Sequence, residues 1–253
     1  MIEAVKISII TAVHNRCDTI AATLASVRAQ SHPDVEYIVV DGASADGTTD
    51  ILRAQRAQID VLVSEPDNGI YDALNKGIAA ATGEVIGLLH ADDVYANERV
   101  LSSVAKAFED QKADAVYGDL EYVSKNDINK TVRLWKAGEF SPAKLSWGWM
   151  PPHPTFFVRR AVYERLGRFD TTYRIAADYD LILRFLGHGK LSVTYVPEVL
   201  IKMRVGGVSN RSVANILRKS REDYRALRRH GIGGIGSLVW KNFGKLSQFL
   251  IKK

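Results

Sequence analysis

The apolar run Val85-Ile86-Gly87-Leu88-Leu89 stops abruptly at His90-Ala91-Asp92-Asp93. The run reads as a buried strand, and in an open α/β sheet ligands bind beyond the carboxyl ends of the strands. Two adjacent carboxylates repel unless a cation sits with them. Mg²⁺ and Mn²⁺ are hard ions that take oxygen ligands and commonly join a few carboxylates to substrate phosphates. Asp92 and Asp93 therefore point to a metal–diphosphate site. The competing reading is an N-cap for a helix expected to start near Asn97, since Asp is a favoured capping residue. A second acid, Asp178 in Ala177-Asp178-Tyr179-Asp180-Leu181, precedes the helical pattern Tyr179 to Leu186. Read from its residues alone, it is an N-cap of that helix.

The elements that must position these acids alternate. Val5 to Ile10, Val35 to Val40, Val61 to Val63 and Val85 to Leu89 are short apolar runs. Helical periodicity covers Thr19 to Ala29, about Thr49 to Gln58, and Tyr71 to Ala81, where Gly83 ends the helix. Strands separated by helices of this length predict βαβ units and a mostly parallel sheet with right-handed crossovers. Three strand ends then fall on one edge: Thr11 to Asn15, Asp41 to Gly47, and Asp92-Asp93. An acid after the second strand suits a base or ribose hydroxyls. No glycine fingerprint follows the first strand and no P-loop is present. Holding a nucleotide would thus fall to the metal.

The chain has 253 residues, 46% of them hydrophobic, enough for one large domain or one domain with an appendage. No apolar run reaches the roughly 18 residues of a membrane span. The N-terminus enters a strand pattern at once, so no signal peptide is read. The single cysteine, Cys17, excludes an internal disulfide and fits a reducing compartment. Its neighbour Arg16 and a nearby helix start are expected to lower its pKa, but it reads as structural. The net charge of +5 is unevenly placed: residues 211–253 hold eleven Lys/Arg against Glu222 and Asp223, a charge of +9, which leaves −4 for residues 1–210. A mildly acidic body argues against nucleic acid as a partner.

The blocks Ile7 to Asn15, Tyr37 to Thr48, Glu65 to Gly77, Ala81 to Ile86, Asp92-Asp93 and Ala177 to Leu181 occur in an order that resembles the family 2 glycosyltransferases of GT-A fold, over about residues 5–210. Gly69 to Gly77 resembles members that build bacterial exopolysaccharide, capsule or O-antigen. The resemblance implies an α/β fold with a mostly parallel central sheet flanked by helices. It implies inverting transfer of a sugar, a hexose by expectation, from a nucleotide-sugar such as a UDP-sugar to a glycan or lipid-linked acceptor, with Mn²⁺ or Mg²⁺ as cofactor. It also assigns roles. Thr11, Ala12, Val13 and Asn15 would line base and ribose, and Asp41 would contact the base. Asp92, the last acid of the Asp-x-Asp motif, would hold metal and donor, with Asp93 as second metal ligand and Ala91 between motif positions. His90 replaces the motif's first acid and is assigned to the donor pocket. Asp178 matches the general base, in an Ala-Asp pair where Glu-Asp is frequent.

His153, stiffened between Pro152 and Pro154, is expected to contact the acceptor or the donor diphosphate, and further donor contacts are expected from Arg204, whose guanidinium suits phosphate, and from Asp67 and Lys76. Trp147 and Trp149 are candidates to stack on a sugar, though aromatics also serve cores. Residues 1–210 form the expected catalytic domain and 211–253 a basic helical extension. Arg211 to His230 reads as a basic helix. Beyond the glycines at 231–236, Ile235, Leu238, Val239, Phe243, Leu246, Phe249 and Leu250 make an apolar stripe with a cationic rim. That stripe suits the surface of an anionic membrane, which implies a cytoplasmic enzyme peripheral to the inner face of the plasma membrane. Packing on the body or on a second subunit is the other reading. A non-catalytic protein of the same fold is the second function class, which the presence of Asp41, Asp92 and Asp178 disfavours.

Overall fold

The computed structural model describes residues 4–206 and 213–243. In chain order the elements are β1 (Ile7–Val13), α1 (Ile20–Arg28), β2 (Val35–Asp41), α2 (Thr48–Ala54), β3 (Val61–Ser64), α3 (Ile70–Ala80), β4 (Val85–Leu88), β5 (Val94–Tyr95), α4 (Val100–Gln111), β6 (Ala115–Val123), β7 (Thr131–Trp135), α5 (Pro142–Ser146), β8 (Phe157–Arg159), α6 (Arg160–Leu166), α7 (Ala177–Leu183), β9 (Val193–Arg204), α8 (Val213–Arg229) and α9 (Ile235–Phe243). They build a nine-stranded sheet ordered β3-β2-β1-β4-β8-β6-β9-β5, with β7 paired to β6. The long pairings are parallel, while β5, β7 and β8 run against their neighbours.

Side chains alternate across a strand, and β1 shows the consequence. Ile7 and Ile9 join Leu24 of α1 and Leu101 of α4 on one face, while Ile10 and Ala12 join Leu74 and Ile78 of α3 on the other. Both faces are covered, so β1 is buried along its whole length. Each such side chain withdrawn from water contributes roughly 1.5–3 kcal/mol. Helix α3 approaches β1 closely because Gly77 faces Ile10: a Cβ at 77 would lie 2.3 Å from Ile10 Cγ2.

The first strand runs to Val13, three residues beyond the apolar run expected, because Thr11 is buried and bonds Tyr37 Oη at 3.1 Å. Both capping readings fall away. Helix α4 begins at Val100 with Arg99 at its N-cap, too far from Asp92 and Asp93. Asp178 lies inside the first turn of α7, which Ala176 caps without a side-chain hydrogen bond. Helices α8 and α9 pack on the body: Ala226 and Leu227 are fully buried in the core layer that holds α7, and Leu238 packs against it. The distal stripe residues Leu246, Phe249 and Leu250, like Gly207 to Arg211, lie outside the described residues. No helix among the described residues is long and apolar enough to cross a membrane.

Candidate active site

A cavity of about 1460 Å³ opens at the carboxyl ends of β1 and β4. Register explains which side chains meet there. Strand β8 runs antiparallel beside β4, with Ile86 opposite Val158, so the residues just before β8 lie beside those just after β4. His153 is thereby brought against His90, Nε2 to Nε2 at 3.2 Å. Strand β5 runs antiparallel to β9, with Val94 opposite Lys202, which places Arg204 beside the two acids. The Arg204 backbone N–H donates to Asp93 Oδ1 at 3.2 Å and its guanidinium to the Asp92 carbonyl. Arg16 Nε is 4.0 Å from Asp92 Oδ2.

Asp178 enters from the opposite wall, with a fifth of its side chain exposed. His153 Nδ1 is 3.2 Å from Asp178 Oδ2. The Tyr71 hydroxyl donates to the Ile175 carbonyl at 2.7 Å and lies 3.4 Å from Asp178 Oδ1. Burial lowers the pKa of His90, against the pull of Asp92 and Asp178, and lowers that of His153 to about 4, against Asp178. Both imidazoles are therefore neutral near pH 7, although a third of the His153 side chain faces the cavity.

The turn that presents Asp178 is held from α8. The Glu222 carboxylate accepts the backbone N–H groups of Arg174, Ile175 and Ala176 at 3.2, 2.8 and 2.9 Å. One residue on, Asp223 is buried between Lys219 at 2.7 Å and Lys241 at 2.9 Å. The Lys241 ammonium lies 3.0 Å from the centre of the Tyr179 ring, next to Asp178. Lys219, Asp223, Lys241 and Trp240 all line the cavity. The sequence reading treated residues 211–253 as a separate extension and missed them. The i,i+4 pairing of Lys219 with Asp223 was the local signal, but it does not say which surface the helix meets.

Of the expected residues, Ala12, Val13, Asn15, Asp67, His90, Ala91, Asp92, Asp93, His153, Asp178 and Arg204 line this cavity, as do Trp147 and Trp149. Three do not. Thr11 is buried under Tyr37. Asp41 is fully buried, its carboxylate taken up by Ser44 N–H, Thr49 Oγ1 and Ser64 Oγ at 3.2, 3.2 and 2.7 Å. Lys76 pairs with Glu65 at 2.7 Å and donates to the Pro66 carbonyl, so it turns away from the cavity. Cys17 is exposed, and its thiol is pushed up, not down, because it bonds the Asp46 carboxylate.

A divalent ion fits the acids. Asp93 is buried, its Oδ2 has no hydrogen-bond partner, and burial beside Asp92 raises its pKa well above the carboxylate range. A cation would relieve that unfavourable burial. Among the described residues no three His, Cys, Asp or Glu side chains converge to hold an ion unaided. Ligands from a donor diphosphate would have to complete its shell, as is usual for Mg²⁺.

Residues 8–167 match the sequence model of the family Glycosyl transferase family 2. The chain belongs to that family. A PGL/p-HBAD biosynthesis glycosyltransferase of Mycobacterium bovis is 30% identical over 208 residues, 80% of this chain and 78% of that protein. An uncharacterized glycosyltransferase of Mycobacterium tuberculosis is 33% identical over 186 residues, 73% of this chain and 70% of its own length. Among solved structures, TarS of S. aureus superposes with a TM-score of 0.68 at 19% identity over 90% of this chain, which spans only 39% of that TarS chain. TarS 1–349 has also been solved with UDP-GlcNAc, with a TM-score of 0.67 at 16% identity. The mannosyltransferase PcManGT of Pyrobaculum calidifontis, in complex with GDP-Man and Mn²⁺, gives 0.64 at 20% identity, covering 98% of this chain and 70% of that one. At such identities the likeness shows the fold, which is the GT-A fold: a mixed α/β structure around a mostly parallel sheet. The chain is a glycosyltransferase by family.

Proposed function

We propose that this glycosyltransferase moves a sugar, a hexose, from a nucleotide-sugar, most simply a UDP-sugar, to a hydroxyl of a glycan or lipid-linked acceptor. The product belongs to bacterial cell-surface polysaccharide. The observation that carries the proposal is that Asp92, from the end of β4, and Asp178, from the start of α7, face one cavity large enough for donor and acceptor together. Ala12, Val13, Asn15 and Asp67 form the nucleotide end. Arg16 and Arg204, both near Asp92, face the diphosphate. Mn²⁺ or Mg²⁺ held by Asp92 and Asp93 would supply neutralisation of the diphosphate charge.

Asp178 takes the proton of the acceptor hydroxyl while that oxygen bonds the anomeric carbon. The bond from that carbon to the diphosphate oxygen breaks on the opposite face, and the electron pair leaves with the diphosphate. One displacement with one base inverts the anomeric centre. We further propose that the C-terminal helices rest on an anionic membrane at the cytoplasmic face. Ile216, Leu217, Ile235, Val239 and Trp240 are exposed, as is Trp147, whose ring meets Trp240 at 5.7 Å. Arg218, Arg221 and Arg225 border them, the arrangement of an interfacial surface.

Thermal stabilisation by UDP-glucose, UDP-GlcNAc or GDP-mannose with Mn²⁺ tests donor binding. Asp178→Asn should retain the stabilising nucleotide-sugar and lose transfer. Full transfer in Asp178→Asn refutes the base assignment. Co-sedimentation with vesicles containing phosphatidylglycerol tests the membrane surface.

A further inference from the structure

We infer that His153 is a positioning residue for Asp178, and that His90 fixes the tautomer in which it does so. The inference rests on the proposed role of Asp178 as base. His153 Nδ1 lies 3.2 Å from Asp178 Oδ2. An ionised carboxylate only accepts hydrogen bonds, so Nδ1 bears the hydrogen of His153. In the neutral ring the other nitrogen, Nε2, then carries the lone pair, and it lies 3.2 Å from His90 Nε2. The two ring centres are 5.4 Å apart, which exceeds the N···N distance by about two ring radii. The nitrogens therefore aim at one another nearly in line. His90 Nε2–H donates, His153 Nε2 accepts, His153 Nδ1–H donates and Asp178 accepts.

The in-line geometry separates this chain of bonds from a shared metal. An ion on the line between the two nitrogens would sit 1.6 Å from each, half the observed separation and shorter than imidazole–zinc bonds of about 2.0–2.1 Å, so a shared ion would have to lie off the line along which both nitrogens aim. It also argues against a contact between His153 and the donor diphosphate, one of the two contacts expected from the sequence. With its lone pair engaged by His90 and its hydrogen by Asp178, the ring has no donor left for an anion. The effect on Asp178 is specific. Oδ2 is held by the imidazole, and Oδ1, which lies 3.4 Å from the Tyr71 hydroxyl that already donates to Ile175, is the oxygen left for the acceptor proton. The backbone holds the middle of this chain of bonds in place: the His153–Thr155 turn sits between Pro152 and the β8 strand that pairs with β4. A His at a strand end thereby orients a carboxylate that belongs to a different element, as an outer-shell partner does at other catalytic sites.

Long-range ¹H–¹⁵N spectra of the imidazoles in the full-length wild-type chain test the tautomer directly. The expected result is the Nδ1–H form at His153, converting to a mixture in His90→Phe. An Nε2–H form at His153 in the wild type overturns the inference. Substitutions test the effect on turnover, with hydrolysis of whichever of UDP-glucose, UDP-GlcNAc or GDP-mannose stabilises the wild type as the readout. An Asn amide reaches the place of Nδ1 and a Gln amide that of Nε2. His153→Ala and His153→Gln should lower kcat by about 10²-fold, the scale of a misplaced catalytic group, with KM and the nucleotide affinity within twofold of wild type. His153→Asn should recover most of the loss. Recovery by Gln and not by Asn, or a fall in nucleotide affinity that accounts for the lost turnover, overturns it. The Asp178→Asn variant is measured beside them. Unchanged turnover there removes the base itself, whereas loss there with His153→Ala unaffected removes only the positioning role.

Discussion

Replacing Glu222 by Ala should weaken the fold moderately and transfer severely, because one carboxylate holds the turn in front of Asp178. It accepts two short hydrogen bonds, from Ile175 and Ala176 at 2.8 and 2.9 Å, and a longer one from Arg174 at 3.2 Å. Bonds to a charged group contribute about 1.5–3 kcal/mol each. Ala176 is 1% exposed, so its N–H would lose its partner with little water to replace it. Arg174 is exposed and would be rehydrated. The net cost is about 2–3 kcal/mol, which in a chain of this size lowers Tm by roughly 4–12 °C. Glu222→Gln keeps an acceptor without the charge and should fall between. A shift of the turn by about 1 Å is enough to lower turnover about 10²-fold. Nucleotide binding should be unchanged, since Asp92 follows β4 and Arg204 ends β9, apart from this turn. Differential scanning fluorimetry, calorimetry with the stabilising nucleotide-sugar and a transfer assay read the three quantities separately. A Glu222→Ala protein with unaltered Tm, or one in which nucleotide affinity and transfer fall together, refutes the reasoning.

Three other outcomes follow from the packing of α8, α9 and α3. Asp223→Asn leaves Lys241, 6% exposed, without its counter-charge at 2.9 Å, and should cost about 3–5 kcal/mol in urea unfolding; adding Lys241→Met should recover most of it, and a neutral Asp223→Asn would contradict the buried pair. Asp170 titrates at about 2 because, although burial raises its pKa, the hydrogen bonds from Arg229 and Thr172 lower it further. Its folded value is below the ordinary value of about 3.9, so its stabilising contribution is complete above about pH 4 and is lost as pH falls through 2. Arg229→Gln should flatten the decline of unfolding free energy between pH 4 and 2, and identical slopes would exclude the pair. Gly77→Ala forces a Cβ to 2.3 Å from Ile10 Cγ2 and should destabilise by about 1–3 kcal/mol as overpacking does; an unchanged denaturation midpoint would show that α3 moves away without cost.

Much of the body was legible in local patterns. The alternation of apolar runs and helical stripes over residues 5–89 states a parallel α/β sheet, because periods of 2 and 3.6 are properties of the backbone itself. The acids after β4 and at the start of α7 were recognisable for the same reason: they break apolar patterns at element ends. What local periodicity cannot state is which strand pairs with which, and in what direction. Only the antiparallel placement of β8 beside β4 brings His153 to His90, 63 residues earlier in the chain, and within 3.2 Å of Asp178. Only the docking of α8 on α7 puts Asp223 in the cavity wall and Glu222 against the turn that presents Asp178, which a basic helical pattern read by itself does not state. Asp41 shows the same divide: its type and position were readable, but its enclosure by Ser44, Thr49 and Ser64 depends on how three separate segments fold over it. Side-chain spacing specifies an element and its apolar face, and the burial of those faces against each other, over long separations in sequence, decides which polar groups are left facing one another.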